Sequence, residues 1–227
     1  MAIGLGMIFG FTFPENFRYP FVSKSIKEFM ARWHVSLSAW FTQYVYKPLG
    51  GGKSENQDKM IRNLFIIWLL TGIWHGAAWT YVWWGMYFFL FIVLENLIQI
   101  EQVEGHDLLR RIYTLFVVVI AMVIFRCEDT NQLVVYMSDL FNLSGNGIYS
   151  ETAVMFLKEY GLVFVAAIAC TLPMRNYVEN VIENTKKEKP LRTIYHVCYI
   201  GGMLALFIFA IAILAKGGYN PFIYFNF

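Results

Sequence analysis

The strongest constraint on this chain is a set of apolar runs that a soluble core of its size has no room to bury. Five stretches, about 61–74, 79–98, 112–125, 153–172 and 194–214, read as membrane-spanning helices. A helix crosses the hydrocarbon core with about 20 mostly apolar residues, so the first and third are short and suit tilted or helix-buried segments. Composition agrees: 58% of the 227 residues are hydrophobic and 15% are charged, against about 25% charged in a soluble domain. The 7 Trp and 14 Tyr are the residue types that favour the membrane–water interface. The predicted class is an all-α integral membrane protein built as a multi-span helical bundle.

Residues 23–46 follow a different pattern. Ile26, Phe29, Met30, Trp33, Leu37, Trp40, Phe41 and Tyr44 recur at three- and four-residue steps, with Lys24, Glu28 and Thr42 opposite. At 100° per residue this is one apolar face, and Glu28 is placed to pair with Arg32 one turn on. The pattern predicts an amphipathic helix that lies in the interface or re-enters the bundle rather than crossing. The run from Lys47 through Pro48 to Gly52 ends it. A weaker amphipathic helix is expected over 131–143. Met1 to Phe13 lack a basic start and a cleavage site, and read as the end of a membrane segment that begins outside this chain.

Loop charge suggests sidedness. Arg110 and Arg111 fall in one loop; Arg175, Lys186, Lys187, Lys189 and Arg192 fall in another; Lys47, Lys53, Lys59 and Arg62 precede the first span. If all five segments cross, these share one side. The loop from Cys127 to Glu151 holds Glu128, Asp129 and Asp139 without Lys or Arg. The expected arrangement is a multi-pass protein of the inner membrane, with basic loops cytoplasmic and the acidic loop and C-terminus outside.

Several functions are disfavoured at once. A net charge of +2 makes no case for nucleic acid. Cys127, Cys170 and Cys198 have no metal-ligand spacing, so neither a metal site nor a disulfide scaffold is expected. No P-loop, GxSxG or HExxH pattern occurs. The chemistry falls to histidine. His75 stands in Gly72-Ile73-Trp74-His75-Gly76-Ala77-Ala78-Trp79, where two apolar helices meet. An ionisable group at membrane depth usually faces a bundle interior or a wet cavity, and the small residues allow close approach of backbone or ligand. Imidazole is also the side chain suited to take a proton near neutral pH. Two readings stand: a base, or a structural histidine bonded to a neighbouring helix. His34 falls at the border of the amphipathic face, where it could line a cavity or anchor the helix at the headgroups. Whether His34 and His75 meet is open. His106, beside Glu104 and Asp107, reads as solvated, and His196 starts the last span. Lys24, Lys27 and Arg32 suit an anionic headgroup, a cytoplasmic phosphate-bearing donor or simply a solvated face.

The segments Phe13-Pro14-Glu15-Asn16-Phe17-Arg18-Tyr19-Pro20-Phe21, Arg32-Trp33-His34-Val35-Ser36-Leu37-Ser38-Ala39-Trp40, Tyr46-Lys47-Pro48-Leu49-Gly50-Gly51 and Gly72-Ile73-Trp74-His75-Gly76 together resemble the MBOAT, or membrane-bound O-acyltransferase, family. The ending Phe222-Ile223-Tyr224-Phe225-Asn226-Phe227 is similar too. Within the family the chain looks like the bacterial alginate O-acetyltransferase branch, with D-alanyl–teichoic acid transferase as a cousin. The resemblance implies a partial MBOAT fold over 1–227, its C-terminal part, with an N-terminal half expected from elsewhere.

It further implies acyl transfer, acetyl in this branch, to a hydroxyl of an extracytoplasmic polysaccharide. The donor is a cytoplasmic thioester, acyl-CoA or an acyl carrier, with no bound cofactor. His75 maps onto the family's essential histidine and His34 onto its second motif histidine. Trp33, Ser38, Trp74, Gly76 and Trp79 become candidates for lining the channel. Expected partners are membrane lipid, the acyl donor, and the acceptor polymer or a periplasmic acetyltransferase. The rival reading is a non-catalytic membrane scaffold that docks such a partner.

Overall fold

The computed structural model describes residues 2–52, 56–100, 105–143, 145, 149–185 and 188–216. Lys53, Glu104, Lys186, Lys187 and the closing 222–227 motif lie outside the described residues. The described chain is α-helical: α1 (Ala2–Ile8), α2 (Ile26–Arg32), α3 (Val35–Phe41), α4 (Gln57–His75), α5 (Trp79–Ile98), α6 (Asp107–Arg126), α7 (Thr130–Leu140), α8 (Glu151–Thr171), α9 (Met174–Glu183) and α10 (Glu188–Ala215). A 3₁₀ turn covers Pro20–Val22 and a π turn Thr42–Tyr46. No strand occurs among the described residues; Phe17 and Trp33 form one isolated bridge. The chain is an all-α membrane protein.

Four helices are long and apolar enough to cross a bilayer: Trp79–Ile98, Asp107–Arg126, Glu151–Thr171 and Lys189–Ala215. The expected span at 61–74 is not among them. α4 is 19 residues long, but its first two turns carry Gln57, Asp58, Lys59, Arg62 and Asn63, so its apolar part is too short.

The chain forms two compact units, Met1–Leu172 and Pro173–Phe227. In the first, α4 and α5 form a tight hairpin. A Cβ on Gly72 would meet the Tyr81 carbonyl oxygen at 2.6 Å, and one on Gly85 would meet that of Trp68 at 2.4 Å, so the two backbones touch where only glycine fits. The hydrophobic core draws on Ile26 and Phe29 of α2, Trp68 of α4, Trp84, Phe88 and Ile92 of α5, and Val117, Val118, Ile120, Ala121 and Ile124 of α6. Phe29 stacks on Phe88 at 6.5 Å between centroids, locking α2 onto α5. The weak amphipathic stretch expected at 131–143 is α7, whose Leu133 and Met137 pack on this core.

In the second unit α9 occupies a stretch read as loop. Its Met174, Tyr177 and Val181 keep helical spacing, and Arg175 pairs with Glu179 at 2.9 Å. The Arg175 guanidinium also lies 5.8 Å from the Tyr199 ring centroid on α10.

Candidate active site

The predicted amphipathic helix over 23–46 is three pieces, and the breaks have identifiable causes. Ser25 caps the start of α2, its hydroxyl accepting from the Glu28 amide at 3.0 Å; Ser followed three residues later by Glu is a helix-start signature. Glu28 then pairs with Arg32 at 2.9 Å, as the spacing anticipated. At the far end Trp33 is extended and His34 takes φ 50°, ψ 49°. This left-handed conformation is strained for a residue with a Cβ, less so for His than for most.

Asn16 holds the joint. Its carbonyl accepts from the Val35 amide at 3.2 Å, and its side-chain oxygen accepts from the Ser36 amide at 2.9 Å and hydroxyl at 2.6 Å. The first two amides of α3 are thereby satisfied. The Arg18 amide donates to the Arg32 carbonyl at 2.9 Å, fastening the same joint from the other side. The Asn16–Arg18 part of the N-terminal motif thus serves to bend the chain at His34.

The bend brings His34 to His75. Their ring centroids lie 6.0 Å apart, and both line one cavity of about 430 Å³. His75 is the last residue of α4. Gly76 follows with φ 152°, ψ 177°, a combination essentially reserved to glycine, which turns the chain directly into α5. The His75 side chain is 8% exposed. Trp74 and Trp84, each 4.9 Å away between centroids, and Phe125 at 5.1 Å present rings edge-on to it. Its Nε2 is buried and has no hydrogen-bond partner among the described residues; the same holds for Trp84 Nε1 and Thr80 Oγ1. Unpaired buried polar atoms are uncommon and call for a reason. His34 lies outside the spanning helices, and burial holds its pKa below the ordinary 6.5, which leaves the ring uncharged at neutral pH.

Of the other sequence candidates, Trp33 and Ser38 line the cavity. Trp33 also borders a separate groove with Phe17, Arg18 and Tyr19. Trp74, Gly76 and Trp79 are not among the lining residues; Trp74 is 56% and Trp79 70% exposed. His106 and His196 are exposed, His196 bonding the Arg192 carbonyl through Nδ1 at 2.8 Å.

Sequence reasoning missed Trp68, Thr71, Trp84 and Asn96, all lining residues, while Lys27, singled out for its charge, lines the cavity too. A signal existed for part of this set. Counting back from His75 by helical steps gives Thr71, Trp68 and Leu64, which all face the cavity, as side chains three and four apart share a face.

Residues 1–138 match the MBOAT, membrane-bound O-acyltransferase, family. The chain belongs to that family. Both histidine segments and the α4–α5 hairpin fall within the match, so the cavity is built entirely from MBOAT sequence. Among curated relatives, the probable alginate O-acetylase AlgI of Pseudomonas putida is 32% identical over 240 residues, covering 100% of this chain and 49% of that protein. The peptidoglycan O-acetyltransferase of Helicobacter pylori is 30% identical over 149 residues, 64% of this chain and 28% of the relative. The teichoic acid D-alanyltransferase of Bacillus subtilis is 37% identical over 106 residues, 43% of this chain and 26% of the relative. The chain spans about half the length of the first of these relatives and less of the other two.

Proposed function

We propose that the full gene product carrying this chain is a membrane O-acyltransferase that moves an acyl group, acetyl in the first instance, from a thioester donor to a hydroxyl of a cell-envelope polysaccharide. One observation carries the reading: two histidines 41 positions apart (75 − 34) meet across one cavity, one of them with a buried, unpartnered Nε2. The relatives' names support an extracytoplasmic acceptor, since alginate, peptidoglycan and teichoic acid are all polymers found outside the cytoplasm.

In this mechanism the thioester carbonyl is already electrophilic and the acceptor hydroxyl is the poor reactant. His75 Nε2 takes the hydroxyl proton as the oxygen attacks the carbonyl carbon. The tetrahedral oxyanion collapses, the C–S bond breaks, and the thiolate leaves with the proton returned by His75. The products are an ester and a free thiol. His34 orients a reactant against His75, with Trp33 and Ser38 shaping the same wall. The aromatic cage around His75 keeps bulk water from hydrolysing the thioester. The donor is acyl-CoA or an acyl carrier reaching the site from the cytoplasm, which Arg110, Arg111 and the basic stretch from Arg175 to Arg192 mark by the positive-inside bias. The protein then lies in the inner membrane with its C-terminus outside, and a periplasmic acetyltransferase is a candidate partner on that side.

Mass analysis of envelope polysaccharide from cells with and without a functional gene tests this. Loss of an ester-linked acyl group on deletion, restored by the wild-type gene, is expected. An unchanged ester content contradicts the polysaccharide acceptor.

A further inference from the structure

Glu95 is a buried ionisable group that no step of the acyl transfer uses. It belongs to spanning helix α5 and is 1% exposed. It does not line the cavity, although Ile92 and Asn96 beside it do. A carboxylate at this depth needs strong partners, and it has them. One oxygen accepts from the Ile26 amide at 2.6 Å and the other from the Lys27 amide at 3.0 Å, while the Tyr113 hydroxyl of α6 hydrogen-bonds to the same group.

Those amides open α2. With the Ser25 hydroxyl holding the Glu28 amide, the first three amides of the helix, those of Ile26, Lys27 and Glu28, are all satisfied. The carboxylate also sits at the positive end of the helix dipole. α2 has only 7 residues, too few to be stable unaided. Its place therefore depends on what grips its ends, and its far end delivers Trp33 and His34.

We propose that Glu95 is a positioning residue of the acyl-transfer site: by capping α2 from within the bundle it fixes His34 against His75. The proposal rests on the acyl-transfer reading and assigns Glu95 no contact with substrate.

The test is a double-mutant cycle in the full gene product, reading kcat and donor KM for transfer of a labelled acyl group from its thioester. Glu95→Gln replaces one accepting oxygen by an NH₂ that opposes an amide. It should lower kcat about tenfold, as slight misplacement of a reacting group does, with donor KM nearly unchanged. In a His34→Ala background the same change should lower kcat no further. A repeated tenfold loss there, or wild-type kcat in either Glu95→Gln or His34→Ala alone, overturns the proposal.

If His34→Ala leaves no turnover, diethyl pyrocarbonate labelling of His34 decides, read by mass spectrometry with His106 and His196 as exposed references. Faster labelling of His34 in Glu95→Gln supports positioning, and an unchanged rate overturns it. If Glu95→Gln does not fold, Tyr113→Phe, which removes one bond to the carboxylate, is read the same way. Activity in His75→Ala would instead sink the acyl-transfer reading itself. An inactive His75→Ala beside a fully active Glu95→Gln removes only the positioning role.

Discussion

Two pairs of spanning helices solve the same physical problem differently. α5 and α6 bury 28% and 33% of their span windows inside the protein, whereas α8 and α10 bury none. In a bilayer an apolar side chain is as well solvated by lipid tails as by other apolar side chains, so burial within protein is not what keeps a span in the membrane. Polar groups are different, because lipid offers them no partner. The buried Thr80, Glu95 and Thr114 belong to the packed pair, and that pair walls the histidine site. The packed spans are thus the ones that carry buried polar groups, whereas α8 and α10 present exposed apolar side chains.

The contrast can be broken by mutation, beginning where the packing is densest. Phe88→Ala should destabilise the protein by about 3 kcal/mol, the cost of a cavity under Phe29, Trp68 and Trp84. Thermal unfolding in detergent reads it, and a change below 1 kcal/mol would mean that α5 is not the packed span described.

Asn16→Ala should cost about 1 kcal/mol through loss of the α3 cap. Its larger signature should be a fall in kcat with the fold retained, because the joint at His34 loosens. Wild-type turnover would detach the joint from function. On α8, Leu162→Ala should change stability by less than about 0.5 kcal/mol, since Leu162 is 83% exposed. A loss near that of Phe88→Ala would show that α8 is packed as tightly as α5.

Much of this was legible in the sequence, but unevenly. The four spans follow from apolar runs, because length and hydropathy alone decide bilayer compatibility. α4 is the exception among the expected spans: its apolar stretch begins only after Asn63, and Trp68, Thr71 and His75 face a cavity. The helical wheel placed His34 at a border by assuming one continuous helix through 23–46. The left-handed residue there ends that assumption, and its cause, Asn16, is 20 positions from the Ser36 it holds. Glu95 read as the tail of an apolar run because its partners, Ile26 and Lys27, lie 69 and 68 positions away. Such pairings follow from packing, which periodicity does not encode. α9 escaped notice because ten residues of mixed charge look like a loop until their three- and four-residue spacing is counted.

The central claim is that His75, met by His34 across the cavity, takes the proton in acyl transfer. The most direct measurement is the rate at which the full gene product moves a labelled acyl group from its thioester to the acceptor, compared between wild type and His75→Ala at equal amounts of folded protein. The account predicts that transfer falls to the uncatalysed background in the variant while donor binding persists. Transfer by His75→Ala at a rate near that of the wild type would contradict it.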